Sequence, residues 1–166
     1  MASRTGTALE VTEDVLLATP NRELDALFRA SPPGPVPTGV LDGVAVLFPG
    51  RRMSRPVAVL VRALAWQGKV IDPDGTSLRN RITPLGIRAV AATVRPSGSL
   101  VDGRPCVVLD YSATSLVARG VRDEIRLVAP CLYLGVVWLF GRRVAWFSLR
   151  QRAGEGGPMS HEEESR

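Results

Sequence analysis

Lysine is nearly missing from this sequence: the 21 basic residues are 20 Arg and Lys69 alone. Histidine is as scarce, with His161 the single example, in a tail that has almost nothing to bury. Histidine-dependent triads, His metal sites and His general bases are therefore excluded from the folded part. The two cysteines, Cys106 and Cys131, lack metal-ligand spacing and are expected as reduced core thiols rather than a disulfide. A Cys nucleophile would also lack the neighbouring base it needs. There is no Gly-rich phosphate loop and no dinucleotide fingerprint, so neither a metal nor a cofactor is expected. The longest apolar run, VAPCLYLGVVWLF at 128 to 140, is 13 residues broken by Pro and Gly. That is too short to cross a bilayer, and the N-terminus has no basic-then-apolar secretory pattern. The expectation is a cytoplasmic protein with no membrane partner.

What is present is apolar bulk and arginine. At 166 residues and 45% hydrophobic composition the chain suffices for one domain with a real core. Residues 21 to 152 carry 19 basic and 9 acidic side chains, net +10, whereas the two ends are net acidic and bring the total to +5. A basic excess suits nucleic acid, but the arginines are scattered, with no basic helix and no aromatic-interleaved signature. A solvated surface with no nucleic-acid partner is the expectation. An acidic carrier protein or a phosphorylated ligand would also suit that surface.

Residues 1 to 19 lack sustained periodicity, and AGEGGPMSHEEESR at 153 to 166 is Gly-rich and acidic. The first is read as a mobile N-terminal segment and the second as a disordered acidic tail, leaving 20 to 152 as the folded domain. Thr19 and Pro20 start a short helix carrying Leu24, Leu27 and Phe28, which stops before SPPGPVP. A second helix is predicted over 55 to 66. Turn signals DPDG (72 to 75), TPLG (83 to 86), RPSG (95 to 98), VDGRP (101 to 105) and FGRR (140 to 143) divide the remainder. Strands are predicted at 39–48, 66–72, 78–83, 87–95, 104–111, 121–128, 131–140 and 143–151. Eight antiparallel strands with short connections suit an up-and-down barrel, with a sandwich as the alternative. Strands 131–140 and 143–149 are apolar on both faces, so their outer face needs a cover. Two short helices packed outside would supply it, and so would a homodimer.

Five short motifs then occur in order: Gly39-Val40-Leu41-Asp42-Gly43, Trp66-Gln67-Gly68-Lys69, Leu109-Asp110-Tyr111, Val121-Arg122-Asp123-Glu124 and Leu132-Tyr133-Leu134-Gly135. Together, over about residues 24 to 152, they resemble the lipocalin-like (calycin) GXWXG-type domain family of actinobacterial small proteins. The resemblance implies a mainly β fold, an eight-stranded antiparallel lipocalin-like barrel, with a cavity for an apolar small molecule. The Trp of GXWXG is Leu41 here, which removes one ring on which a ligand could stack.

Asp123 is the leading candidate for chemistry. In GVRDEIRLVAP (120 to 130) a period of two puts Val121, Ile125 and Leu127 on one face, Arg122, Glu124 and Arg126 on the other, and Asp123 among the apolar side chains. An acid on the inner face of a narrow barrel is desolvated, and could either donate a hydrogen bond or accept a proton. The alternatives are an ion pair with an arginine such as Arg79, Arg81 or Arg88, or a bulge that turns the acid outward. Tyr111 and Tyr133 fall in strands where a phenol offers an apolar ring and a polar tip. Trp66, Trp138 and Trp146 could fill or line a barrel. An exposed strand position is expected for Lys69; buried, it could bind a carboxylate or form an imine. Cys106, Val108 and Asp110 share one face, and Val107, Leu109 and Tyr111 the other, with no indication of which is inside.

Three functions fit these parts. One is a cofactor-independent cyclase or isomerase of bacterial secondary metabolism acting on a polyketide-like or other apolar molecule. Asp123, Tyr111 and Tyr133 would then be catalytic, and Leu41, Trp66, Lys69, Trp138 and Trp146 would hold the substrate. The second is a non-catalytic carrier of a hydrophobic ligand, and the third a barrel filled with its own side chains.

Overall fold

Alternation of apolar and polar residues becomes a barrel wall when each apolar set turns the same way. The computed structural model describes residues 11–46, 69–80, 91–112 and 119–152. The described residues form two helices, α1 (Glu13–Ala18) and α2 (Asn21–Ala30), followed by eight strands. These are β1 (Gly39–Val46), β2 (Lys69–Ile71), β3 (Ser77–Asn80), β4 (Ala91–Gly98), β5 (Pro105–Asp110), β6 (Val121–Ala129), β7 (Leu132–Leu139) and β8 (Arg142–Gln151). Each pairs antiparallel with the next, and β1 pairs with β8, so the sheet is a closed barrel in sequence order. This is the up-and-down barrel of eight strands that the turn spacing predicts, and it is consistent with the lipocalin-like barrel that the resemblance implies.

The inner wall follows parity strand by strand. Leu41, Ile71, Leu78, Ala92, Val94, Val107, Leu109, Ile125, Val137, Phe147 and Leu149 form one buried cluster. Their partners confirm the faces: Ile125 sits opposite Val107 and Gly135, and Gly135 opposite Phe147. Register shifts occur between Leu127 and Ala129 of β6 and between Val137 and Trp138 of β7; at the second, Val137 pairs with Ala145 but Trp138 with Arg143. The extra residue, Val144, packs toward the inner cluster while Arg143 reaches outward over the Trp146 ring at 5.1 Å. Bulges redirect side chains in this way.

The outer face of β7 and β8 is covered by α1 and α2. Leu16, Leu24 and Phe28 pack on Leu132, Leu134, Val136 and Trp146, all fully buried. Each such side chain contributes about 2 kcal/mol on removal from water. The Phe28 and Trp146 rings meet at 5.7 Å, tilted by 58°. Arg126, fully buried on the outer face of β6, ties the helix to the wall. Its five N–H groups reach the Phe28, Arg104 and Pro105 carbonyls and both Asp102 oxygens, and its guanidinium lies 4.6 Å from the Phe28 ring centroid. Nearby, buried Glu124 accepts from Ser99 Oγ, Leu100 N and Arg122 Nε.

The Pro-rich link between α2 and β1 crosses one end of the barrel. Leu127 N donates to Pro32 O, and the Tyr133 hydroxyl donates to Pro35 O. Gly34 adopts a φ of 69°, and a Cβ there would stand 2.6 Å from the Leu127 Cβ, so both the backbone and the space favour glycine.

Two expectations are corrected. Residues 13 to 18, inside the segment expected to be mobile, form α1: Thr12 Oγ1 accepts from Val15 N, Glu13 and Asp14 occupy the first turn, and Leu16 is buried. RPSG at 95 to 98 is the end of β4, not a turn; Pro96 pairs with Val107, and the reversal comes at 99–104 instead. The predicted helix over 55 to 66, the TPLG turn and the tail from 153 lie outside the described residues. No helix among the described residues is long and apolar enough to cross a membrane.

Candidate functional site

Two inward positions carry opposite charges. Lys69 opens β2 directly opposite Leu41 of β1. Cross-strand partners share a face, so the inward Leu41 fixes the lysine inward as well. Asp123 of β6 stands between Leu109 and Val137, both members of the inner cluster. Tyr111, just past the end of β5, continues the parity of Val107 and Leu109. In a ring of eight strands β2 and β6 are four apart and face each other. The long lysine stem therefore crosses the lumen to reach the acid.

The contacts form a triangle. Lys69 Nζ donates to Asp123 Oδ2 at 2.8 Å and to the Tyr111 hydroxyl oxygen at 3.0 Å, and the Tyr111 hydroxyl donates to Asp123 Oδ2 at 3.3 Å. Both charged side chains are 1% exposed. Above the ammonium lies the Phe147 ring, 4.9 Å to its centroid, with the Tyr111 ring at 5.6 Å. The second carboxylate oxygen, Asp123 Oδ1, is buried and has no hydrogen-bond partner among the described residues. A charge in an apolar interior persists when paired and hydrogen-bonded, and here one oxygen meets two donors while the other meets none.

This environment fixes the protonation of its two donors. Burial opposes the charge on Lys69, but Asp123 and Tyr111 outweigh it and raise the ammonium above the ordinary lysine range. A lysine held charged offers little free amine, which disfavours imine formation at Lys69. Burial raises the Tyr111 phenol as well, the nearby Asp123 adding to the effect and Lys69 opposing it. The phenol stays neutral and serves as a donor.

Asp123 thus faces inward as its strand parity predicts, and its ion-pair partner is the sole lysine rather than an arginine. Lys69 is buried where an exposed position is expected; in β2, only three residues long, the register with Leu41 sets the face. Arg81 and Arg88 lie outside the described residues, as does Trp66. Leu41 lines the lumen beside Lys69. Tyr133 is also inward, but its hydroxyl is engaged by Pro35 O toward the opposite end from Asp123, so it does not join the cluster. Trp138 and Trp146 are corrected outright: both belong to the outer layer beneath the helices, on the opposite face of β7 and β8 from Tyr133 and Phe147. Cys106 is on the outer face too. Burial, reinforced by Glu124, pushes its thiol up to about 11, which removes it as a nucleophile. Phe147 is a site residue that the sequence does not single out: it shares parity with Leu149, but both faces of β8 are buried, so parity does not tell which face is inner.

Among the described residues, no three or more His, Cys, Asp or Glu side chains come together to hold a metal ion. No family model matches the chain, and no curated protein matches it. A crystal structure of a protein from Thermomonospora curvata is similar in fold, with a TM-score of 0.52 over 84% of this chain and 94% of that one, at 15% sequence identity.

Proposed function

We propose that the barrel takes up an apolar small molecule and engages its polar group with the Lys69–Asp123–Tyr111 cluster. The observation that carries this reading is the placement of three polar side chains, in mutual contact, among the apolar side chains of the inner cluster. A barrel serving only as a scaffold is better stabilised by well-packed hydrophobic residues than by a buried ion pair. The sequence resemblance to lipocalin-like GXWXG-type proteins points the same way. Binding requires no cofactor: burying about 300 Å² of ligand at roughly 25 cal/mol per Å² is a gross gain of about 7 kcal/mol before ordering costs.

A second reading, a cofactor-free cyclase or isomerase, draws on one further feature. Asp123 presents an acceptor oxygen beside an ammonium and a neutral phenol, so an acceptor for a proton and donors for a developing oxyanion stand within one site.

The test is retention. Purified protein incubated with an extract of the producing organism and then re-isolated should carry an apolar compound identifiable by mass spectrometry. The Lys69→Met/Asp123→Leu variant should carry less of it. A protein that retains nothing overturns the reading. For the second reading, Asp123→Asn should bind the retained compound but lose its turnover, and undiminished turnover removes Asp123 from any reaction.

A further inference from the structure

We infer that the guest of this barrel is a neutral molecule presenting a hydroxyl or enol hydrogen to Asp123 Oδ1, rather than a carboxylic acid anchored on Lys69. The inference rests on the reading above that the barrel takes an apolar guest, and names the polar group that guest must carry.

The argument begins from charge. Among the described residues the cluster holds one ammonium, one carboxylate and one phenol, joined by contacts of 2.8, 3.0 and 3.3 Å. Lys69 is already neutralised by Asp123 across the lumen. An anionic guest would bring a second negative charge beside a buried carboxylate, at a cost that grows as the surroundings become less polar. A cationic guest would meet an ammonium in the same space.

Hydrogen bonding then selects among neutral guests. Of the two Asp123 oxygens, Oδ2 receives both the lysine and the tyrosine, and Oδ1 receives nothing among the described residues. A buried acceptor left unpaired is costly, and a donor supplied by a ligand recovers that cost as affinity. The group it calls for is O–H or N–H. Ethers and esters, which only accept, leave Oδ1 as it is. The rest of the guest meets Leu41, Leu109, Val137 and Phe147, which favour hydrocarbon.

Three probes of similar length separate the alternatives in calorimetric titrations of the full chain: dodecanol, its isomer methyl undecyl ether, and dodecanoate. Dodecanol should bind about tenfold or more tightly than the ether, the worth of one hydrogen bond to a charged group, and dodecanoate should bind more weakly than the alcohol. In Lys69→Met/Asp123→Leu the preference of alcohol over ether should disappear while ether binding persists. Equal affinity for alcohol and ether, or tightest binding by dodecanoate, overturns this inference and leaves the proposed function standing. If none of the three binds, both fall.

Discussion

The ring of Phe147 occupies the space that a side chain at Gly135 would need: a Cβ there would stand 2.2 Å from Phe147 Cζ. The two residues face each other across β7 and β8, and the same ring covers the Lys69 ammonium. A glycine in the middle of a strand weakens it unless something approaches closely, and here an aromatic ring does. Gly135→Ala should therefore destabilise the barrel by about 1–3 kcal/mol, the range for overpacking, read from urea denaturation midpoints. Adding Phe147→Ala should make the Gly135→Ala step nearly free, and additive losses would show that the two do not share this space.

The cross-lumen pair makes a second expectation. Lys69→Met alone leaves a buried carboxylate without its cation, a loss of about 3–5 kcal/mol. The paired replacement Lys69→Met/Asp123→Leu removes both charges and should lie within about 1.5 kcal/mol of the parent. Equilibrium unfolding of the three proteins checks this. If the single variant costs no more than the double, Lys69 and Asp123 are not coupled.

Alkaline pH probes the buried groups collectively. Burial pushes the Cys106 thiol up to about 11 and the Tyr133 phenol up to about 12, and Lys69 and Tyr111 are raised as well. The unfolded chain releases the corresponding protons from 9.0 for the thiol and 10.0 for the phenol. Protons retained by the folded state alone favour folding below those unfolded values, and the advantage is lost as pH rises through the folded ones. Stability should therefore decline above about pH 9, and Cys106→Ala should move the onset toward about pH 10. Urea midpoints measured across this range give the profile, and a flat curve through pH 11 contradicts the expectation.

Arg126 links α2 to the loop at 99–104 through Asp102, whose carboxyl is held below the usual carboxylate range chiefly by its hydrogen bond with that arginine. Asp102→Ala should cost about 3 kcal/mol because the guanidinium stays buried without its counterion. Hydrogen exchange should report the loss in α2 before it appears in β7 and β8.

Trp146 offers a contrary case. Its indole Nε1 is buried with no hydrogen-bond partner among the described residues. Trp146→Phe removes an unmet donor along with some apolar area, so the two effects offset. The variant should lose less than about 1.5 kcal/mol, whereas Phe28→Ala in the same layer should lose about 3–5. Thermal unfolding distinguishes them, and equal losses would mean that the unmet donor costs nothing.

What could be read from the chain alone divides along a physical line. Where one face is apolar and the other charged, as in residues 121 to 127, a period of two shows which side chains enter the barrel, and Asp123 is visible. Where both faces are apolar, as in β7 and β8, alternation carries no sign. Trp138 and Trp146 then cannot be told from Tyr133 and Phe147 until the helices claim one face. Lys69 was hidden for a different reason: a strand of three residues has too little alternation to reveal its register, and lysine is ordinarily exposed. RPSG misleads because its residues favour turns, yet pairing with β5 and the reversal at 99–104 override that local preference.

The seam between β1 and β8 has a bearing on how the protein is made. Strands that follow one another in sequence can pair as they leave the ribosome, but β1 waits for a partner some hundred residues downstream, Leu41 meeting Gln151. Until that last strand is released, the nascent sheet carries two raw edges, each a template for another chain. Shortening the chain within β8 should therefore yield aggregates more readily than a smaller soluble barrel.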